Sequence, residues 1–284
     1  MKIIKKIIVP VNFDSAHLSV AIQAAEIAKE HKAEIYLIHV CKPTFTNLFS
    51  QFSISKGTNS IYRLTKSKNS LICSWKLWIE KEYGIKVNTI IEWGSKGKII
   101  IDYAREYQAD LIALKKQKNI TWFNKFKTSA SEYIIAKSSC QVITFLTEVS
   151  SISKWQNIVI PVTNFIPEVR VKTIVDIVKS FNVKLHLLAF SKNSVVDHKS
   201  NFYYLSETLK MLKASGNVQV ECKCISSTKS QIQTVVNYAK KVNADAIITN
   251  NKIGYSTPLS FGKRVKNYFK RLSSHQNNSE LFPV

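Results

Sequence analysis

The densest group of chemically capable side chains in this sequence is a lysine-rich stretch over residues 115–127. Its lysines alternate with Trp122, Phe123 and Phe126, and are Lys115, Lys116, Lys118, Lys125 and Lys127. Ammonium groups beside stacking aromatic rings can hold an anionic ligand or single-stranded nucleic acid. The alternative, which we favour, is that the rings cover a sheet edge while the lysines point into water. A basic face over residues 263–271 has the same two interpretations.

Histidines are the other candidates for chemistry. His39 and His186 are predicted to end matching strands, where an imidazole can act as acid or base. However, no Ser or Cys stands in a recognisable nucleophile elbow, and no His, Asp and Glu group has metal-site spacing. We therefore expect packed histidines, no catalytic residue and no metal site.

The five cysteines do not form the framework of a small disulfide-rich domain. Cys222 and Cys224 alternate with polar residues, and we predict that they face the core of a strand. Unpaired cysteines and the lack of a signal-peptide pattern predict a reducing, cytoplasmic location.

Charge is the unusual feature of the composition, at +22 over 284 residues, with only five Arg among 41 basic residues. A basic surface attracts polyanions. The excess is spread over both halves of the chain, so we favour a solvated basic surface over a nucleic-acid site. Apolar residues make up 45% of the chain, which excludes a disordered protein. No apolar run approaches the ~18 residues of a membrane span, which excludes an integral membrane protein.

An internal repeat supplies the elements that must position these side chains. The apolar run Ile7–Val11 returns as Val159–Val162. A predicted helix follows each copy, with Asp14 or Ser15 as the N-cap after the first and Pro167 in the first turn after the second. Asp110 and Asp245 precede matching fourth strands, which indicates turns or caps. The remaining predicted pairs are strands 35–40 and 185–190, helices 71–83 and 202–212, strands 85–91 and 218–225, helices 98–107 and 231–241, and strands 109–114 and 244–249.

This alternation predicts an α/β fold of two tandem doubly wound domains, each a five-stranded, mostly parallel sheet. We place the domains at 1–147 and 155–284, with a linker at 148–154. The second domain's last strand, Leu281–Val284, contains a proline and is predicted to be weak or at an edge. The segment 41–70, with Phe45, Phe49 and Phe52, is predicted to be a long connection, either a binding loop or partly disordered.

Several of these segments together resemble the universal stress protein family in its tandem two-domain form. The resemblance rests on Ile7–Ser15, Leu37–Val40, Ala109–Ile112 and Ser129–Val142, in that order and spacing. It implies an adenine nucleotide alpha hydrolase-like fold. It also implies that the two halves pack as an intrachain pseudo-dimer, and that ATP, where it is bound, lies at the carboxyl ends of the strands.

The family's ATP-site positions fall on residues that are mostly of another type here. The motif Gly-x2-Gly-x9-Gly-Ser/Thr is replaced by lysine or threonine at its glycines, and Asn12 and Thr163 stand where an Asp is usual. A β-carbon at a glycine position obstructs a close phosphate cradle, so we interpret both sites as degenerate. The positions are Pro10, Val11, Asn12, Val40, Lys115, Lys118, Thr128 and Ser129, with Thr163, Gly254 and Gly262 in the second half.

The resemblance and these departures together predict a non-catalytic, cytoplasmic protein of the stress response. It is expected to bind a protein or small-molecule partner, to hold no tightly bound ATP or other cofactor, and to associate with no membrane. A homodimer is compatible with this prediction. Two alternatives stay open, namely an ATP-binding switch with slow hydrolysis, and binding of nucleic acid or another polyanion through the lysine-rich surface.

Overall fold

The computed structural model describes residues 4–42, 57–115, 129–146, 155–163, 166, 168–191, 195–226 and 231–249. All of these residues fall within one compact unit, Met1–Ile253. The second unit, Gly254–Val284, contains none of the described residues. The strands are β1 Lys6–Val11, β2 Glu34–Cys41, β3 Val87–Trp93, β4 Leu111–Lys115, β5 Gln141–Phe145, β6 Asn157–Pro161, β7 Lys184–Ser191, β8 Val220–Ser226 and β9 Ala246–Thr249. The helices are α1 Ser15–His31, α2 Gly57–Tyr83, α3 Lys96–Glu106, α4 Ala130–Lys137, α5 Glu168–Phe181, α6 Val195–Ser215 and α7 Gln231–Lys241.

All nine described strands form one sheet, in the order β3-β2-β1-β4-β5-β9-β6-β7-β8. Every neighbouring pair is parallel except β5 and β9, which are antiparallel. Strands β1 and β6 are apolar and buried after their first residue, as expected where helices cover both faces of a sheet. The α/β class and the mostly parallel strands confirm the fold predicted from the repeat, but the described strands form one continuous sheet and not a separate sheet in each half.

The internal repeat is visible in the strand register. Pro10 in β1 pairs with Ile38, and Pro161 in β6 pairs with Leu188, so the two prolines occupy the same place in each half. Helices α3 and α7 also correspond, since each has 11 residues and feeds the fourth strand of its half. The two halves are therefore structural copies of one α/β unit.

The two aspartates that precede the fourth strands have the structural role predicted for them. Asp110 Oδ2 accepts hydrogen bonds from the backbone N–H groups of Lys5 and Lys6, at 2.7 and 3.0 Å. Asp245 Oδ2 does the same for Gln156 and Asn157, at 2.8 and 3.1 Å. Each carboxylate thus fixes the start of the first strand against the fourth strand of the same half.

Strand β5 joins the halves by pairing on both sides. It runs parallel to β4 and antiparallel to β9, with Val142 opposite Thr249 and Phe145 opposite Ala246. The Gln141 side chain donates to the Thr249 carbonyl at 2.8 Å, and Phe145 packs against Trp155. This arrangement is the intrachain pseudo-dimer that the resemblance implied. It places β5 beside β9, and the predicted strand Leu281–Val284 lies outside the described residues.

Two local predictions were wrong. Cys222 and Cys224 are exposed on β8, which is an edge strand of the sheet. The prediction failed because an alternating pattern does not show whether a helix covers the apolar face. Helix α2 begins at Gly57 rather than near residue 71, so part of the predicted long connection is helical. Phe45, Phe49, Phe52, Pro167, the linker residues 148–154 and the basic face over 263–271 lie outside the described residues.

No helix in the described part of the chain is both long enough and apolar enough to cross a membrane. Over the same residues, no three His, Cys, Asp or Glu side chains are grouped so that they could hold a metal ion.

We predict that replacing Asp245 by Ala lowers the free energy of unfolding by about 2 kcal/mol, because two partly buried N–H groups lose a charged acceptor. Urea denaturation followed by circular dichroism measures this. Asp245→Asn, which keeps one acceptor oxygen, is expected to lose less, and the exposed Asp102→Ala is the control. Equal effects of Asp245→Ala and Asp102→Ala would contradict the proposed clamp.

Candidate functional site

The candidate site lies at the carboxyl ends of β1 and β4. Strand β1 has β2 on one side and β4 on the other, so the connection from β1 to β2 and the connection from β3 to β4 run in opposite directions across the sheet. Open α/β sheets bind ligands at such a point, where the strand order reverses. We call this place the first crevice, and its described polar residues are Asn12, Asp14, His17, Lys96 and Lys115.

The turn after β1 is built around Phe13, whose φ of 59° lies in the left-handed region. A non-glycine residue is held there only when its surroundings fix it. The Phe13 ring packs against His39 with centroids 4.6 Å apart and against Trp75 at 5.6 Å, and Lys68 Nζ lies 5.1 Å above it. These contacts hold the turn rigidly and direct the side chains on either side of Phe13, Asn12 and Asp14, to the crevice.

Asp14 is the N-cap of α1 and the ionic centre of the crevice. Its Oδ1 accepts from the His17 backbone N–H at 2.7 Å, contacts His17 Nδ1 at 2.7 Å and pairs with Lys115 Nζ at 3.2 Å. Burial opposes ionisation of Asp14, but the hydrogen bonds from His17 and Lys115 outweigh it and lower the carboxyl pKa to about 2. Burial also lowers the pKa of His17, against the influence of Asp14.

Lys96 approaches the crevice from the start of α3. Its Nζ donates to Asn12 Oδ1 at 3.3 Å. Burial is the main cause that lowers the pKa of Lys96 to about 8, and Lys42 and Lys115 lower it further, while Asp14 acts in the opposite sense. Two lysine side chains, Lys96 and Lys115, are thus held at one edge of the sheet with a single described carboxylate between them.

His39 is a packed histidine, as predicted from the sequence. Its Nδ1 lies 2.9 Å from the Val11 carbonyl, which can only accept, so Nδ1 carries the proton. Burial lowers the pKa of His39, partly opposed by the hydrogen bond to Val11. The ring therefore ties the ends of β1 and β2 together.

The structure brings together only some of the residues that the resemblance singled out. Pro10, Val11 and Val40 are buried strand residues, and Asn12 and Lys115 face the crevice. Ser129 forms a capping box with Glu132, so its hydroxyl is occupied by the first turn of α4. Lys118, Thr128, Gly254 and Gly262 lie outside the described residues, and Thr163 follows β6 at the place that Asn12 has after β1.

His186 was misplaced by the sequence analysis. It pairs with Val159 near the start of β7, which is the register position of Tyr36 and not of His39. Its ring contacts Asn157 Oδ1 at 2.9 Å and Tyr238 Oη at 3.1 Å. It therefore lies towards the amino ends of the strands, away from the carboxyl ends where a ligand is expected.

The sequence analysis missed Lys96 and His17, and gave Asp14 only a capping role. Lys96 follows Gly94 and Ser95 directly after β3 and is the first residue of α3. The first turn of a helix favours an anion, so a cation at this position could have indicated a functional lysine. The approach of Lys96 to Asn12, 84 residues away in sequence, depends on the strand order and has no local signal.

Comparison with known proteins identifies the family. The model of the universal stress protein family matches residues 4–145, which is half of the chain. The chain belongs to the universal stress protein family. A universal stress protein of Methanocaldococcus jannaschii is 27% identical over 139 residues, covering 49% of this chain and 80% of that protein.

Solved universal stress proteins share the fold over both halves. The structure from Archaeoglobus fulgidus has a TM-score of 0.61 at 16% identity, covering 84% of this chain and 82% of its own. A structure described as a putative universal stress protein from Pseudomonas aeruginosa has a TM-score of 0.50 at 16% identity, with coverages of 85% and 80%. The tandem universal stress protein architecture is therefore confirmed at the level of the fold.

We predict that Asp14→Asn lowers the free energy of unfolding by about 1 kcal/mol at pH 6, a value kept small because the side chain is half exposed. The Asp14 carboxyl pKa is lower in the folded state, so its contribution is complete above about pH 4 and is lost towards pH 2. Urea denaturation between pH 6 and pH 3 measures the difference between the two proteins. A difference independent of pH, or an equal one for Asp102→Asn, would contradict this assignment.

Proposed function

We propose that this universal stress protein is a non-catalytic, cytoplasmic protein of the stress response that binds a small anionic ligand in its first crevice. The observation that carries the proposal is the position of Lys115. It stands where the family pattern has its first phosphate-binding glycine, and its Nζ is held at 3.2 Å on Asp14 Oδ1. The Lys115 ammonium is thus directed to Asp14, with 21% of its side chain exposed.

Two features of the crevice support a ligand other than tightly bound ATP. A backbone cradle needs close approach of N–H groups to phosphate, which the side chain of Lys115 obstructs. The backbone N–H of Ser129, which could otherwise donate to a phosphate, donates to Glu132 Oε2 at 2.9 Å in the capping box of α4. An anion would instead be bound by ammonium side chains, which act as point charges without a fixed geometry.

The charges of the crevice favour a ligand with a phosphate or carboxylate group. Lys42 and Lys115 each repel the Lys96 ammonium electrostatically, and Asp14 is shared between His17 and Lys115. A bound anion would offset the repulsion between the lysines and would raise the pKa of Lys96. Binding is therefore expected to take up protons near pH 8.

We predict that the full-length protein binds inorganic pyrophosphate, and that Lys115→Ala weakens this binding about tenfold, which corresponds to one charge-assisted contact of about 1.4 kcal/mol. Isothermal titration calorimetry at low salt measures it. Lys98→Ala is the matched control, because Lys98 is an exposed lysine on α3.

The same titration with ATP separates the proposal from the ATP-switch alternative. ATP is expected to bind no more tightly than pyrophosphate, since only its phosphates are recognised. Nucleotide retained through purification, or ATP binding that Lys115→Ala leaves unchanged, would overturn the proposal. Binding of a long oligonucleotide with a steep salt dependence, and no binding of pyrophosphate, would favour the polyanion alternative.

A further inference from the structure

Lys96 carries a chemical property that binding of an anion does not use. Its Nζ is held by the neutral amide of Asn12, where the family pattern would place a carboxylate. A carboxylate there would form an ion pair and keep the amine protonated. An amide accepts a hydrogen bond from either form of the amine, so it holds Lys96 in place without fixing its charge.

The surroundings of Lys96 also favour the neutral amine. It is the first residue of α3, and the N-cap Ser95 makes no side-chain hydrogen bond there, so the positive end of the helix dipole lies beside the ammonium. The titratable and charged groups around Lys96 lie on three other elements or next to them. They are Asp14 and His17 of α1, His39 of β2, Lys42 after β2, and Lys115 of β4.

These influences place the pKa of Lys96 at about 8, with burial as the largest cause. The neutral fraction of Lys96 near pH 7.5 is then far above the value of about one in a thousand for an ordinary lysine. Lys96 is partly buried and lies near other cations, and a lysine in such surroundings can act as a nucleophile towards carbonyl compounds.

We propose that Lys96 is a nucleophilic amine that forms an imine with an aldehyde or ketone bearing a phosphate or carboxylate group, with Lys115 binding the anion. The inference rests on the proposed function, because the same crevice binds the anion. It adds the class of ligand, a small anionic carbonyl compound, and a covalent and reversible mode of capture.

The step balances without an oxidant or a reductant. The lone pair of Lys96 Nζ attacks the carbonyl carbon, the carbon–oxygen π bond breaks, and a proton moves from nitrogen to oxygen to give a carbinolamine. Loss of the hydroxyl group as water, with the second amine proton, forms the carbon–nitrogen double bond. The net change is amine plus carbonyl to imine plus water, and hydrolysis reverses it.

The second half of the repeat shows which residues stand at the positions of Lys96 and Asn12. Gln231 begins α7 at the position that Lys96 has at the start of α3, and Thr163 stands where Asn12 stands. An amide side chain cannot form an imine, so the reaction is expected in the first half alone.

The experiment uses the full-length protein and pyridoxal 5′-phosphate, an aldehyde with a phosphate group, and pyridoxal, which lacks the phosphate. After brief incubation the imine is reduced with borohydride, and peptide mass spectrometry gives the labelled fraction of each lysine. We expect Lys96 to be labelled at least about tenfold faster than the exposed Lys98, with a half-maximal rate near pH 8. Pyridoxal should show a much smaller preference.

Three variants make the result specific. Lys96→Arg keeps the cation and should abolish the fast label, and Lys115→Ala should reduce the preference for the phosphate-bearing probe. Asn12→Asp should slow labelling at pH 7.5 by roughly tenfold for each unit by which the Lys96 pKa rises. Circular dichroism checks that each variant is folded.

The outcomes distinguish this inference from the proposed function. Labelling of Lys96 no faster than Lys98, or no slower in Asn12→Asp, overturns the inference. If pyrophosphate still binds in that case, the anion site stands without the covalent step. Fast labelling of Lys96 by both probes, with no binding of pyrophosphate, would support the nucleophile and overturn the anion-binding function together with the role of Lys115.

Discussion

The antiparallel pairing of β5 with β9 is the interaction on which the rest of the architecture depends. Four residue pairs, from Val142 with Thr249 to Phe145 with Ala246, join two parallel half-sheets into one. Because this pairing is antiparallel, the strands of the second half run opposite to those of the first. The carboxyl ends of the strands in one half therefore lie on the same side as the amino ends of the strands in the other half. Each crevice is built by its own half, and a ligand in one cannot contact the other.

The chemistry of the first crevice follows from replacing backbone donors with side-chain cations. A glycine cradle binds phosphate through neutral N–H groups, whereas Lys115 brings a charge that must be balanced when no ligand is bound. Asp14 supplies that balance and is also the N-cap of α1 and the partner of His17. With its carboxylate shared in this way, Asp14 is a weak counter-ion for Lys96, and the amine of Lys96 is left with the amide of Asn12.

Much of the fold could be predicted from the sequence because its signals are local. Apolar β-branched runs gave the strands of both halves, and the repeated order gave the duplication and the parallel sheet. The exposure of Cys222 and Cys224 could not be predicted in this way. An alternating pattern specifies one face of a strand, but whether a helix covers that face depends on the place of the strand in the sheet, and β8 is at its edge.

The site was predictable only where its residues adjoin a recognisable element. Asn12 and Lys115 each lie at or next to the end of a strand, so their position along the chain indicated the crevice. The register of His186, and the contact of Lys96 with Asn12, follow from strand pairing and order. The family pattern pointed to positions 115, 118 and 128, and gave no indication of Lys96, which lies outside that pattern.

The comparison of the two halves shows which features the fold requires and which belong to the first crevice. The features that build the fold occur twice: Asp110 and Asp245 clamp the first strands, and Pro10 and Pro161 share a register position. Two polar residues of the first crevice and the packed His39 are different in the second half, where Thr163 replaces Asn12, Gln231 replaces Lys96 and Ala189 replaces His39. A purely structural role for Lys96 would not explain why the equivalent helix begins equally well with an uncharged glutamine. Among the described residues, the second half thus supplies β9 as a partner for β5, while Lys96 and Lys115, on which the proposed anion binding rests, both belong to the first half.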